Sequence, residues 1–150
     1  MKNDVLQLMF AVLALVLGAG CEELLPKFFG VGFPVLLMVV VFLSVRFGLL
    51  LAVMLAIAAG ATEDALSALT PMTSVSFFLI VAVLVHRFGL PQLTAALVFP
   101  CYQLWMSVWM GGLNVFTRIL MAIPLGVLTA LVVSAVLAQA IGKAAIHERG

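Results

Sequence analysis

Residues 48–69 read GLLLAVMLAIAAGATEDALSAL. An apolar run from Leu49 to Ala61 ends on two adjacent carboxylates, Glu63 and Asp64, followed by Ser67. Apolar residues on every face of such a run exclude a surface helix of a soluble protein and point to a helix surrounded by lipid or by other helices. The run is short for a full membrane crossing. It therefore tilts little, or its C-terminal end lies inside the fold below the headgroups.

The rest of the chain agrees. Of 150 residues, 66% are hydrophobic and 9% charged, with a mean hydropathy of +1.36. Soluble domains are about half apolar and a quarter charged, so a bilayer is the solvent for most of this chain. At roughly 20 residues per crossing, the length allows about six spans with short loops and leaves no room for a folded soluble domain. A net charge of +1 without a basic tract offers no field for nucleic acid. Cys21 and Cys101 lie on separate segments without a CxxC spacing and read as inert packing thiols. The start, MKNDVLQLMFAVLALVLGAGCEE, reads as a first membrane helix. A lipoprotein signal would carry a large aliphatic where Gly18 stands.

Short polar breaks divide the chain into expected spans at about 4–21, 29–45, 47–62, 73–88, 91–111 and 116–141. The fold class is thus an all-α integral membrane protein, a single domain of six transmembrane helices. Orientation follows from Lys and Arg in short loops. With the N-terminus inside, Lys2, Arg46, Arg87, Lys143 and Arg149 fall on the cytoplasmic side, and Lys27 and Arg118 outside. Arg46 and Arg87 thereby mark an N-in, C-in topology, with Glu22, Glu23, Glu63 and Asp64 at the outer face. Trp105 and Trp109 fall near the outer end of the fifth span, where interfacial aromatics belong.

Small residues recur every four positions in the sixth span: Ala122, Gly126, Ala130, Ser134, Ala138 and Gly142. Such a row lets a neighbouring helix approach closely, a main route to packing in lipid. The third span repeats the device with Ala52, Ala56, Gly60 and then Asp64; the first has a weaker Ala14/Gly18 pair. No internal repeat is evident.

Catalytic and cofactor motifs are absent: there is no GxSxG, HExxH, phosphate-binding loop or dinucleotide turn. His86 and His147 fall on the side opposite the carboxylates, which disfavours a His/carboxylate metal site. No catalytic residue, metal or cofactor is expected. Glu63 and Asp64 read in two ways. They are a solvated span end, or an organised helix end in which Asp64 continues the close-packed face. On the second reading Asp64 accepts hydrogen bonds from the following turn, with Ser67, Thr70, Thr73 and Ser74 as donors. Its charge is offset by a helix that continues beyond it or by a cation such as Arg118. Glu63, about 100° away around the helix, meets solvent or a partner protein.

The hairpin turning at Arg46, with Pro34 upstream, together with Gly60, Asp64, Leu66, Ser67 and Pro71, resembles the rod shape-determining MreD family over about residues 30–90. Many members read roughly G-x-P-L-G after the Ser, whereas this chain reads ALTPMTS, without the second glycine. The resemblance implies a non-enzymatic, multi-pass protein of the bacterial inner membrane that supports cell shape and peptidoglycan synthesis. Its implied partners are an MreC-like protein, with MreB, RodA and a class B transpeptidase in the wider complex. The family is also distantly similar to the substrate-binding subunits of energy-coupling-factor vitamin transporters, which supplies the alternative reading. Tyr102, Gln103, Trp105 and Asn114 would line the pocket that reading requires.

Overall fold

The computed structural model describes residues 2–29, 33–67, 72–89, 91–110 and 115–147, with side chains described at 5–29, 33–67, 72–89, 97–108 and 119–140. Among these residues the chain forms six α-helices and no strand: α1 (Lys2–Phe29), α2 (Val35–Arg46), α3 (Leu49–Leu66), α4 (Thr73–Phe88), α5 (Pro91–Met110) and α6 (Val115–His147). Stretches of α1, α3 and α6 (Val5–Phe29, Leu49–Leu66 and Ile119–Ala140) are long and apolar enough to cross a membrane. Apolar parts of α2, α4 and α5 are shorter.

The element order matches the sequence reading, but several boundaries move. The break expected at CEELLPK is helical, and α1 runs through Pro26 to Phe29. Apart from Pro26, Glu22 to Lys27 are good helix formers, and Glu23 and Lys27 pair across one turn at 2.9 Å on the exposed face. The run at 29–45 shrinks to the twelve-residue α2, about 18 Å long. Pro34, which lacks an N–H, stands just before it. The third run is longer than expected: α3 extends to Leu66 and takes Glu63 and Asp64 into its last turns. Cys21 and Cys101 are free thiols on exposed faces, not packed groups.

The short α2 is the centre of the bundle. Val35 to Val41, Leu43 and Ser44 are all buried, and α2 packs against each of the other five helices. A helix apolar on every face has no solvent side, so burial all round satisfies it. Helices α3 and α4 form the tightest hairpin, and α6 lies along α5 and α2. Contacts fix which ends meet. The C-terminal parts of α1 and α3 adjoin the N-termini of α2 and α4, through Glu22 with Leu36 and Asp64 with Ser74. At the other end His86 Nδ1 lies 3.0 Å from the Ser44 carbonyl oxygen, close to exposed Arg46 and Arg87.

The small-residue row of α6 is a contact only in its first half. Ala122, Gly126 and Ala130 are buried, Ser134 is half-buried and Ala138 is exposed. The geometry of the row explains this. Steps of four residues turn 400°, so the row drifts about 40° per step and leaves the interface. The buried face continues instead through Thr129, Val133 and Leu137. A Cβ on Gly126 would lie 3.0 Å from Cβ of Phe99 on α5, tighter than ordinary packing. Gly142, the last member, lies outside the described side chains.

Gly126→Leu should therefore destabilise the protein by about 1–3 kcal/mol through overpacking against Phe99. Leu128→Phe and Ala138→Leu, on exposed positions, should stay within about 0.5 kcal/mol. Unfolding midpoints in mild detergent measure this. Equal losses at Gly126 and Ala138 would show that the row acts as a unit, against the drift described.

Candidate functional site

The site begins with a glycine. A Cβ on Gly60 would lie 2.6 Å from the Cα of Val75 and 2.7 Å from its nitrogen, distances no real side chain tolerates. Only hydrogen fits where α3 crosses the start of α4. That approach brings Asp64, one turn further along α3, to the first turn of α4. Asp64 Oδ1 accepts the Ser74 N–H at 2.7 Å. Ser74 is the second residue of α4, so its N–H has no acceptor within its own helix. Asp64 thus caps α4 from a neighbouring helix. Of the donors expected for Asp64, Ser74 is bonded to it, through its backbone N–H. Thr70 lies outside the described residues.

The same arrangement recurs between α1 and α2. Glu22 Oε2 accepts the N–H of Leu36, the second residue of α2, at 3.0 Å. Gly18, one turn before Glu22, faces α2, and a Cβ there would lie 3.3 Å from Cδ2 of Leu36. A glycine followed four residues later by an acid thus occurs twice, each time against the beginning of the next helix. Glu22, expected in an outer loop, is instead an internal cap.

Glu63 is buried as well, with 8% of its surface exposed, against the expectation of a solvated or partner-facing side chain. Its Oε1 accepts from the Ser67 hydroxyl at 3.1 Å, so Ser67 serves Glu63 rather than Asp64. The four-residue spacing accounts for this, since residues i and i+4 share a helix face. The Glu22 carboxyl and the Tyr102 hydroxyl approach the Glu63 carboxyl. Burial of Glu63 follows from α1 continuing past residue 21, which covers that face of α3.

Helix α5 closes the cluster. The Tyr102 and Ser74 hydroxyls are hydrogen-bonded at 2.7 Å, and Trp105 Nε1 donates to the Thr73 carbonyl at 2.9 Å. Phe77 packs between the two rings, with centroids 5.2 Å from Tyr102 and 6.1 Å from Trp105. Trp105, expected at the lipid interface, therefore uses its N–H to hold α5 on the start of α4. Among the described residues, two buried oxygens of the cluster, Glu63 Oε2 and Asp64 Oδ2, have no hydrogen-bond partner.

Gly60, Glu63, Asp64 and Ser67 are thus brought together, and Glu22, Ser74, Tyr102 and Trp105 join them. Pro71 lies outside the described residues, as do the side chains of Arg118 and Trp109. Asn114 and His147 offer no described side chain either. Arg46 and Arg87 lie at the opposite end of the bundle, and Gly126, Ala130, Ser134 and Ala138 lie on α6, apart from the cluster. Among the described residues, no group of three or more His, Cys, Asp or Glu side chains could hold a metal ion. What the arrangement does chemically is present carboxylate oxygens to the electropositive starts of helices. Sequence reasoning missed Glu22, although the row Ala14, Gly18, Glu22 has the spacing of Ala56, Gly60, Asp64. Tyr102 and Trp105 carried no signal that would have tied them to Ser74 and Thr73.

No family model matches the chain, and neither the curated proteins nor the solved structures include a match.

Asp64→Asn keeps an acceptor oxygen for the Ser74 N–H and should cost under about 1 kcal/mol. Asp64→Ala leaves that buried N–H unpaired and should cost about 1–3 kcal/mol. Gly60→Ala should be at least as damaging, because α4 backbone must move. Unfolding midpoints in detergent decide this, and an Asn variant as unstable as the Ala variant would contradict the capping role.

Proposed function

We propose that this chain is a multi-pass protein of the bacterial inner membrane that acts as a non-enzymatic scaffold of the rod complex, in the manner of the MreD family. In this reading all six helices sit in the bilayer, with both termini in the cytoplasm. Its partner is an MreC-like protein, and MreB, RodA and a class B transpeptidase belong to the wider assembly. The cell-shape role follows from that membership.

The observation that carries the reading is the joint between α3 and α4. Two residues of the family resemblance, Gly60 and Asp64, form a joint in which the carboxylate is occupied by a helix start. Such a use of Asp64 supports a structural rather than a chemical role. Tyr102 and Trp105, which a vitamin pocket would draw on, are bonded to Ser74 and Thr73. This favours the scaffold over the transporter-subunit alternative. Arg46 and Arg87 are exposed at one end of the bundle, and Glu22, Glu63 and Asp64 lie toward the other. That separation supports the proposed orientation, with arginines inside.

Two experiments test the proposal. In a background without Cys21 and Cys101, a membrane-impermeant thiol reagent added to intact cells should label Ser67→Cys and leave Arg46→Cys untouched; the reverse pattern would overturn the orientation. In a strain dependent on this protein, Asp64→Asn should support rod shape and co-purify the MreC-like partner, whereas Asp64→Ala should insert but lose both. An Asn variant that assembles normally yet fails to support growth as rods would point to chemistry at Asp64 and contradict the scaffold role.

A further inference from the structure

We propose that Glu22 and Glu63 hold one proton between them, so that an O–H···O bond from carboxyl to carboxylate fastens α1 to α3. The ligand of this site is a proton taken from water. The inference stands apart from the rod-complex reading and does not depend on it.

The donors and acceptors of the cluster lead there. Glu22 is half-buried, and Glu63 and Asp64 are only 8% and 6% exposed. Glu22 Oε2 accepts the Leu36 N–H, Asp64 Oδ1 the Ser74 N–H and Glu63 Oε1 the Ser67 hydroxyl. The Glu22 and Glu63 carboxyls also meet across the contact of α1 with α3. An ionised carboxylate is an acceptor only, so two of them in contact lack a donor. A proton on either one supplies it. Glu63 Oε2, buried and without a partner among the described residues, is open to carry or receive that proton.

Charge leads to the same place. The electropositive starts of α2 and α4 face Glu22 and Asp64, and no helix start faces Glu63. Glu63 has only the Ser67 and Tyr102 hydroxyls, and it lies at the electronegative end of its own helix. No cation makes up the difference among the described residues. Lys27 is turned to Glu23 on the exposed face, Arg46, His86 and Arg87 lie at the opposite end, and the described part of α6 has no ionisable side chain. The other titratable groups beside the pair are Asp64 on α3 and Tyr102 on α5, while α2 and α4 present backbone N–H groups. Two like charges in contact away from water repel strongly enough that the pair binds a proton instead, and the proton belongs to the pair rather than to one member. A metal ion does not serve, because no group of three or more ligating side chains could hold one among the described residues. A proton needs no cavity. Once it leaves, the two carboxylates repel across the joint and α1 loses this hold on α3.

Infrared spectroscopy of the full chain in phosphatidylcholine nanodiscs, with isotope-labelled glutamate carboxyls, tests this through the C=O stretch of neutral carboxyl groups. At neutral pH the native chain should show a neutral glutamate band. Glu63→Gln and Glu22→Gln should each lose it, because the introduced amide donates to the remaining carboxylate. Asp64→Asn should keep it. Raising the pH until the band disappears should lower the detergent unfolding midpoint of the native chain more than that of Glu63→Gln. An absent band in the native chain at neutral pH, a band kept in either Gln variant, or midpoints that fall equally in the two proteins would overturn the inference. The first arm uses the native chain alone, so it decides the matter even where a variant fails to fold.

Discussion

A helix that begins away from water exposes N–H groups with no acceptor, and in hydrocarbon each such group costs several kcal/mol. This constraint organises the bundle. Helices α2 and α4 both begin against another helix, and each receives a carboxylate oxygen from it: Glu22 for Leu36, Asp64 for Ser74. The carboxylate is the strongest acceptor that a side chain offers, and the positive end of the helix dipole favours its charge. Asp64 near the C-terminal end of α3 is unfavourable against that helix's own dipole. The start of α4, 2.7 Å away, supplies the opposite field. Glu22 and Asp64 stand where they do because two helices start in dry surroundings.

Reach sets the residue types. Glycine brings the helices together, and the acid one turn later spans the remaining gap. At the closer joint, where Gly60 faces backbone, the shorter aspartate suffices. At the joint where Gly18 faces the side chain of Leu36, the longer glutamate is used. Once α1 and α3 hold the starts of α2 and α4, the central position of α2 follows. Helix α5 then docks on the start of α4 through Tyr102 and Trp105. Glu63 is the member of the cluster that no helix start explains. It is covered by α1 and tied to Ser67, and one of its oxygens has no partner among the described residues.

Much of this was legible in the sequence. Hydropathy and short polar breaks gave the number and order of the helices, because apolar length and Gly/Pro punctuation are local properties. The four-residue row ending in Asp64 gave the close face of α3 and the acceptor role. Three features were not legible for identifiable reasons. Glu22 looked like a loop residue, since charge density alone cannot tell a solvated break from a helix whose charged residues divide between an internal cap and a surface pair. The row in α6 looked uniform, but a period of four drifts from the helical period, so Ala138 leaves the interface that Gly126 forms. The links from Tyr102 to Ser74 and from Trp105 to Thr73 join residues about 30 apart and depend on how α5 packs, which no local pattern encodes.

The central claim is that a carboxylate from α3 carries the start of α4. Hydrogen exchange of the Ser74 amide, followed by NMR in detergent micelles, reads that bond directly. In the native chain the amide should be strongly protected. In Asp64→Ala its protection should fall by at least about tenfold, the equivalent of one lost buried hydrogen bond, while the Leu36 amide, held by Glu22, keeps its protection. Unchanged protection at Ser74, or an equal loss at Ser74, Leu36 and the interior of α4, would contradict the account.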